Sequence, residues 1–361
     1  MKYLIQKIIK ENDLVIDKKR CLHYRDKNQK CTLCIESCPT GAISSQENMI
    51  EVDEDNCNEC GICKAKCPSQ CISLNNIADK SFLKSIELNE EVILGCNDGE
   101  GNGNVIVPCL NGLHPELLVI MLIHFRNKRL SFNIGKCSQC SLLCKSEIFL
   151  DNLNKAERFM NSIDINANYK LLNNTNDIPT ISPRTISRRE LFSMIKEGSI
   201  NHASEAVNSI WGNVKENTFD QRTVLIRILE GFIKEEDKNT TECNDIFSNY
   251  EVSDKCNGCG YCTAICPWNA WQLDKTSDKY SLSHNAKSCR SCKLCINSCP
   301  KSAINVKHFK LKSLADKELK LEILLSKCKQ CNNSFVSQEE DMGLCPSCYK
   351  RNEIRKSIFK R

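Results

Sequence analysis

The chain has 361 residues, of which 27 are Cys, and its formal net charge is +5. Gly (14) and Pro (9) are scarce and charged residues make up 26%, which excludes collagen-like and low-complexity proteins. No apolar stretch reaches the roughly 18 residues of a spanning helix. Because Lys residues interrupt the apolar residues of Met1–Lys10, we expect no signal peptide and a cytoplasmic location. There thiols stay reduced, so regular Cys spacing indicates metal ligation rather than disulfides.

One Cys pattern occurs four times, in two pairs of copies. The first pair lies within residues 1–80 and the second within residues 246–310. The copies are Cys21-x9-Cys31-x2-Cys34-x3-Cys38-Pro39, Cys57-x2-Cys60-x2-Cys63-x3-Cys67-Pro68, Cys256-x2-Cys259-x2-Cys262-x3-Cys266-Pro267 and Cys289-x2-Cys292-x2-Cys295-x3-Cys299-Pro300. Repeated in this register and closed by Cys-Pro, the pattern resembles the motif of bacterial 2[4Fe–4S] ferredoxins.

The resemblance implies two ferredoxin-like dicluster modules with four [4Fe–4S] clusters. In that family the Cys before Pro ligates the other cluster of its pair. The implied ligands are set 1 (Cys21, Cys31, Cys34 and Cys67), set 2 (Cys57, Cys60, Cys63 and Cys38), set 3 (Cys256, Cys259, Cys262 and Cys299) and set 4 (Cys289, Cys292, Cys295 and Cys266). We expect electron transfer, since a single metal would suffice to hold so small a fold together.

The first copy differs from the others because nine residues separate Cys21 from Cys31. We favour Cys21 as the ligand, and His23 within the insertion is the alternative. The insertion and its flank are basic, which predicts either a docking surface or a solvated loop. These basic residues are Arg20, Arg25, Lys27 and Lys30.

Residues 81–150 predict a small α/β region. Val92–Gly95, Val105–Pro108 and Leu130–Ile134 are typical of short strands, and Pro115 opens a helix through Phe125. The stretch Gly99–Gly103 precedes a strand rather than a helix, so we interpret it as a turn and not as a nucleotide loop. Five Cys surround this unit, and some of them follow strands, where parallel sheets bind ligands. They are Cys96, Cys109, Cys137, Cys140 and Cys144.

This region resembles the small iron–sulfur (delta) subunit of electron-bifurcating hydrogenases, which holds a [2Fe–2S] cluster. The matching residues are Gly95-Cys96, Val107-Pro108-Cys109 with Pro115-Glu116-Leu117, and Cys137-x2-Cys140. The resemblance implies a further iron–sulfur cluster at the five Cys. Asn97 and Asp98 stand where a second early Cys would help, so the cluster type stays open. Free structural thiols and a dithiol pair at Cys137 and Cys140 are the alternatives.

Residues 151–245 predict a linker and a helical spacer. Asn152–Thr180 is polar and rich in Asn, which is typical of a partly ordered linker. Ser187-x2-Glu190 is a capping box, and Ala203–Val214 and Arg222–Ile233 have the apolar spacing of helices. We expect these helices to set the distance between the two modules.

Trp268 and Trp271 follow Cys266-Pro267 in the second module. We expect their indoles to cover a cluster and to exclude water, which tunes the reduction potential. A direct part in electron relay is the alternative.

The tail, residues 311–361, contains Cys328-x2-Cys331 and Cys345-x2-Cys348, thirteen residues apart. This spacing resembles a zinc ribbon, in which two knuckles present four thiolates. A single iron of the rubredoxin type accepts the same ligands and stays open. The basic residues that follow predict a solvated tail or a site for nucleic acid or an acidic partner. They are Lys350, Arg351, Arg355, Lys356, Lys360 and Arg361.

The formal charge of +5 counts every Cys as neutral. The thiolates of four clusters and one zinc site are negative, and the metal cores offset part of that charge. Together they add about −10 to the net charge. The loaded protein then carries a net charge of about −5. We therefore expect no general binding to nucleic acid.

The sequence thus predicts an α+β chain with two dicluster modules, a small α/β region, a helical spacer and a zinc ribbon. The predicted function is an iron–sulfur electron-transfer protein or oxidoreductase subunit that relays single electrons between a donor and an acceptor protein. No Rossmann fingerprint, P-loop, metalloprotease motif or catalytic triad is evident in the sequence, which favours a subunit without its own catalytic site. The alternative is a redox-responsive regulatory or assembly protein whose ribbon binds nucleic acid or a partner.

Overall fold

The computed structural model describes residues 14–26, 30–74, 83, 86–87, 89–97, 103–142, 146–174, 220–232, 240–241, 245–336 and 343–358. Among these residues no helix is both long and apolar enough to cross a bilayer. Several predicted features lie outside the described residues. They are Met1–Lys10, Lys27, most of Gly99–Gly103, Cys144, Ser187 and Glu190, Ala203–Val214, Lys360 and Arg361.

The first module consists of two antiparallel strand pairs joined by short helices. β1 pairs with β4, which brings the two ends of the module together, and β2 pairs with β3 in a hairpin. Gly61, just before the third helix, has a φ of 79°, a conformation that favours glycine. The elements are β1 (Leu14–Ile16), α1 (Leu22–Arg25), α2 (Leu33–Glu36), β2 (Ile43–Gln46), β3 (Met49–Val52), α3 (Ile62–Lys66) and β4 (Ile72–Leu74).

A parallel four-stranded sheet with the order β6-β5-β7-β8 follows. The strand–helix–strand unit predicted for this region is confirmed. Nine of the ten residues of helix α4 are buried, because the helix lies in the middle of the largest apolar core. The elements are β5 (Glu91–Cys96), β6 (Val105–Val107), α4 (Pro115–His124), β7 (Arg129–Asn133), α5 (Glu147–Ser162) and β8 (Lys170–Leu172).

The prediction of a linker over Asn152–Thr180 is wrong for the part up to Leu172. Helix α5 continues to Ser162, and β8 adds the fourth strand to the sheet. The buried apolar residues of α5 recur every three or four positions, and of its polar residues only Asn152 is buried, where its Nδ2 donates to the carbonyl oxygen of Leu113. The buried apolar residues are Phe149, Leu153, Ala156, Phe159 and Met160.

Helix α6 (Gln221–Glu230) confirms the helix predicted from Arg222 onwards, but it does not hold the modules apart. Its apolar side chains Leu225 and Leu229 lie in the same core as helix α4. Phe247 and Phe309, at the two ends of the second module, belong to this core as well and stack on each other with ring centroids 5.1 Å apart. The helix is therefore part of the core that joins the α/β region to the second module.

The second module repeats the strand pairing of the first. β10 pairs with β13, and β11 with β12. Strands β15 and β16 extend the β11–β12 hairpin into a four-stranded sheet, so the tail shares a sheet with the second module across the predicted boundary at residue 310. The elements are β9 (Thr240–Thr241), β10 (Asn249–Val252), α7 (Tyr261–Ile265), β11 (Trp271–Lys275), β12 (Lys279–His284), α8 (Leu294–Asn297), β13 (Ile304–Lys307), β14 (Phe309–Lys310), β15 (Glu318–Lys327), β16 (Ser334–Val336) and α9 (Pro346–Ile358).

Candidate metal centres

The two thiol sets of the first module line two separate cavities. Set 1 lines a cavity of about 310 Å³ and set 2 a cavity of about 290 Å³. Cys67 lies in the first cavity, although it belongs to the second Cys copy, and Cys38 lies in the second. Each cavity thus collects three thiols from one copy and one thiol from the other.

Backbone N–H groups point at the sulfur of the Cys before each Pro. The N–H of Ala270 donates to Cys266 Sγ at 3.3 Å, and the N–H of Ala303 donates to Cys299 Sγ at 3.4 Å. Hydrogen bonds to a charged sulfur favour the thiolate, which is the form that binds metal. The turn after each Cys-Pro therefore helps to hold a thiolate.

Burial raises the pKa of thiols in both cavities. The pKa of Cys34 rises to about 12 because of burial and, next, the charges of Cys67 and Cys21. The pKa of Cys63 also rises to about 12, with burial as the largest cause and Cys60 next. Thiols so placed do not all ionise by themselves near neutral pH, whereas a cationic metal core deprotonates its thiol ligands. The donor sets fit iron–sulfur clusters, for which thiolates are the usual ligands.

The second module also brings thiols of both of its copies together. In set 3, the pKa of Cys256 is raised, mainly because the thiol is buried. The charges of Cys259 and Cys299 raise it further. In set 4, burial raises the pKa of Cys292 to about 12, and the charge of Cys266 contributes to the shift. Cys259 is exposed, so set 3 reaches the protein surface.

The structure places Cys21 and His23 differently. Cys21 is 6% exposed and lines the set 1 cavity together with Cys31 and Cys34. The ring of His23 is not part of that lining, and its Nδ1 donates to the carbonyl oxygen of Cys31 at 3.1 Å. Of the two alternatives, the geometry favours Cys21 as the donor to set 1.

The cavity of set 1 is also lined by a fifth thiol, Cys71, which the sequence analysis did not predict. Its sulfur lies 3.4 Å from Cys67 Sγ. Hydrogen bonds from Cys71 are the largest cause that lowers the pKa of Cys67 to about 6 and the pKa of Cys21 to about 7. A comparison of the four copies could have found it, because Cys71 stands where the other copies have Ala, at Ala42, Ala270 and Ala303.

We expect Cys71→Ala to retain the full iron content, since Ala at this position serves the other three copies. Cys67→Ala should instead lose cluster iron, because it removes the donor that completes set 1. Iron and sulfide analysis of the two variants after anaerobic preparation tests this difference. Equal iron loss in both would mean that Cys71 is itself a required ligand.

Four of the five central Cys line one cavity at the carboxyl edge of the parallel sheet. Cys96 ends β5, and Cys109 and Cys137 follow β6 and β7. Together with Cys140 these residues line an open cavity of about 370 Å³. The predicted convergence at this edge is thus present for the four described Cys, whereas Cys144 lies outside the described residues.

The central cavity lies next to set 2. A turn at Leu110–Gly112 follows Cys109, and a side chain at Gly112 would stand 2.4 Å from the carbonyl oxygen of Cys60. Such an approach leaves room only for glycine. The α/β region and the first module are therefore in direct backbone contact.

The four Cys of the tail also converge. Their sulfur atoms all lie within 4.8 Å of one another. The N–H of Cys345 donates to Cys328 Sγ at 3.3 Å and is the largest cause that lowers the pKa of Cys328 to about 6. The arrangement, completed by Cys331 and Cys348, fits one four-thiolate metal ion. Zinc and iron both accept it.

The two Trp residues after Cys266 occupy different places. Trp271 is 3% exposed and packs in the core that contains Cys295, as expected for an indole that covers a cluster. Trp268 faces the first module instead, and its Nε1 donates to the carbonyl oxygen of Ser69 at 2.7 Å. The expected apolar cover therefore fits Trp271, whereas Trp268 contacts the first module.

Comparison with known proteins supports the interpretation of the two Cys copies in the second module. Residues 255–303 match the family of the 4Fe-4S dicluster domain. Ferredoxin-1 of Chlorobaculum tepidum is 35% identical over 57 residues, which are 14% of this chain and 92% of that ferredoxin. The chain belongs to the ferredoxins with 4Fe–4S clusters. This ferredoxin thus contains an iron–sulfur dicluster segment within a chain of mixed helix and strand structure.

Two further relatives match this chain over a short segment each. A subunit of the ion-translocating oxidoreductase complex of Methanosarcina acetivorans is 43% identical over 44 residues, 12% of this chain and 17% of that protein. Pyruvate synthase subunit PorD of Methanothermobacter marburgensis is 40% identical over 50 residues, 14% of this chain and 58% of that protein. This ferredoxin therefore spans less than two thirds of either relative.

Proposed function

We propose that this ferredoxin carries four [4Fe–4S] clusters and acts as the electron-transfer subunit of an oxidoreductase. Sets 1 to 4 hold the clusters. The observation that carries the proposal is that each cavity of the first module is lined by three thiols of one Cys copy and one of the other. This exchange is what a pair of clusters held close together requires.

The clusters supply reversible one-electron chemistry when they are bound. The protein supplies the thiolates, the N–H donors to sulfur and the apolar cover. Trp271 and Tyr250 pack 5.8 Å apart beside the buried Cys289 and Cys295, and they exclude water from set 4. Such an apolar shell controls solvent access and therefore the reduction potential.

The partners are a protein that donates electrons and a protein that accepts them. Two relatives are named as subunits of oxidoreductase systems, one of an ion-translocating complex and one of pyruvate synthase. The same kind of assembly is proposed for this ferredoxin, with substrate chemistry on another polypeptide. The exposed Cys259 of set 3 offers an edge from which electrons pass to a partner.

Metal and sulfide analysis of anaerobically purified protein tests the cluster count. Four clusters require about sixteen iron and about sixteen sulfide per chain, and the dithionite-reduced protein should give paramagnetic signals. A further [2Fe–2S] cluster at the four central Cys would raise the count to about eighteen iron. One or two irons per chain would contradict the proposal.

A further inference from the structure

The two modules dock directly on each other. Leu22 of the first module and Ile265 and Leu294 of the second form one apolar cluster. Cys31 and Cys292 both pack against it. Because Cys31 belongs to set 1 and Cys292 to set 4, this contact brings these two sets to a common boundary.

The nine-residue stretch between Cys21 and Cys31 forms part of this junction. Arg25, in the insertion, donates from Nε to the carbonyl oxygen of Ile265 and from Nη2 to that of Ala264, each at 2.7 Å. These carbonyl groups lie at the end of α7, immediately before Cys266. A guanidinium fixes the angle of such a contact because its donors are planar and rigid. The insertion is therefore a docking element and not only a solvated loop.

Trp268 connects the turn that follows Cys67 with the turn that follows Cys266. Its indole bonds to Ser69, two residues after Cys67, while Trp268 itself stands two residues after Cys266. The guanidinium groups of Arg20 and Arg290 each lie 4.0 Å from the centroid of its ring. Such cation–π contacts hold the indole in place and bring positive charge between two anionic clusters.

The other two sets contact different parts of the chain. Set 2 meets the α/β region, where Gly112 approaches Cys60. Set 3 lies beside the shared sheet, since a side chain at Gly258 would stand 2.6 Å from the ring of Tyr280 and 3.5 Å from Val336. Sets 2 and 3 thus each have a neighbour outside the Leu22–Ile265–Leu294 cluster, against which Cys31 of set 1 and Cys292 of set 4 pack.

We propose that the docked modules hold their four clusters in one row, in the order of sets 2, 1, 4 and 3, and that electrons cross between modules at the Trp268–Ser69 junction. In each crossing one reduced cluster loses one electron and its oxidised neighbour gains it, while no bond forms or breaks and no proton moves. The inference rests on the proposed function, because it requires all four clusters.

Two variants with equal iron content test the order. The inner variant keeps sets 1 and 4. It loses sets 2 and 3 through Cys57→Ala, Cys60→Ala, Cys256→Ala and Cys259→Ala. The outer variant lacks sets 1 and 4 through Cys31→Ala, Cys34→Ala, Cys292→Ala and Cys295→Ala. Each should retain about eight irons. After reduction with dithionite, the inner variant should give a spin-coupled paramagnetic spectrum, and the outer variant two independent signals.

A spin-coupled spectrum in the outer variant with independent signals in the inner variant would overturn the proposed order. Independent signals in both variants, each loaded with its clusters, would overturn it as well. Fewer than about sixteen irons in the wild-type protein would instead overturn the proposed function, and the row of four with it. Iron analysis thus separates the two failures.

A second measurement leaves all ligands in place. Arg25→Ala in the full holoprotein should accelerate amide hydrogen exchange in residues 261–268 of the second module, because it removes the bonds from Arg25 to α7. Lys30→Ala is the matched control, since Lys30 donates to the carbonyl oxygen of His23 within its own module at 3.1 Å. Unchanged exchange in the Arg25→Ala protein would show that the modules do not dock there.

Discussion

Cys345→Ser should empty the four-thiol site of the tail while the cluster iron stays in place. The small core of this site contains little besides thiols, namely Phe335 and Leu344 with Cys328, Cys345 and Cys348. Structural metal contributes on the order of 10–16 kcal/mol to the folding of zinc-finger peptides, which are unfolded without it. We therefore expect faster proteolysis around residues 328–348 and the loss of one metal ion, measured by elemental analysis.

Ser347→Ala is the matched control, because Ser347 lies between Cys345 and Cys348 and is exposed. It should retain the metal. The identity of the lost ion decides between the alternatives, since a ribbon loses zinc and a rubredoxin-type site loses one iron. Unchanged metal content in Cys345→Ser would rule out a site with all four thiols as ligands.

Arg222→Ala should lower the free energy of unfolding by roughly 3–5 kcal/mol, because it leaves a buried carboxylate without its charge partner. Arg222 Nη2 donates to Glu116 Oε1 at 2.6 Å, and each side chain is 1% exposed. The same nitrogen donates to the carbonyl oxygen of Ile246, and Gln70 of the first module donates to Glu116. The pair thus connects helices α4 and α6 with both modules. Denaturant unfolding of the anaerobic holoprotein measures the loss.

Arg129→Ala provides the comparison for this ion pair. Arg129 lies 3.6 Å from Glu91, and these side chains are 76% and 42% exposed. An exposed pair contributes only about 0–1 kcal/mol. The double substitution Glu116→Gln with Arg222→Met should recover part of the stability, because it removes both buried charges. A loss as small for Arg222→Ala as for Arg129→Ala would contradict the structural role of the buried pair.

The Cys spacing predicts which thiols of the first module share a cavity, because the spacing acts over short distances. Three Cys in one tight loop and a fourth before Pro restrict which sulfur atoms can meet. Cys71 escaped prediction because it is not part of that spacing and has a thiol where the other copies have a methyl group. Its relation to Cys67 becomes evident only from the 3.4 Å between their sulfur atoms.

The polar composition of helix α5 led to the wrong prediction of a linker. Its Asn, Asp and Glu residues lower the mean hydropathy, although Phe149, Leu153 and Phe159 form a buried apolar face. The docking of the modules could not be predicted from local pattern at all. Trp268 and Ser69 are 199 positions apart, and nothing in the spacing of either copy indicates that they meet. Contacts at such separation depend on how the whole core assembles.

The docked junction has a consequence for biosynthesis. Ser69 leaves the ribosome 199 residues before Trp268, a delay of about 10–40 s at ordinary rates of translation. During this interval the face of the nascent first module around Leu22 and Cys31 lacks its cover from the second module. A cluster that the proposed set 1 received before that moment would therefore lack the apolar cover that the second module provides in the finished chain.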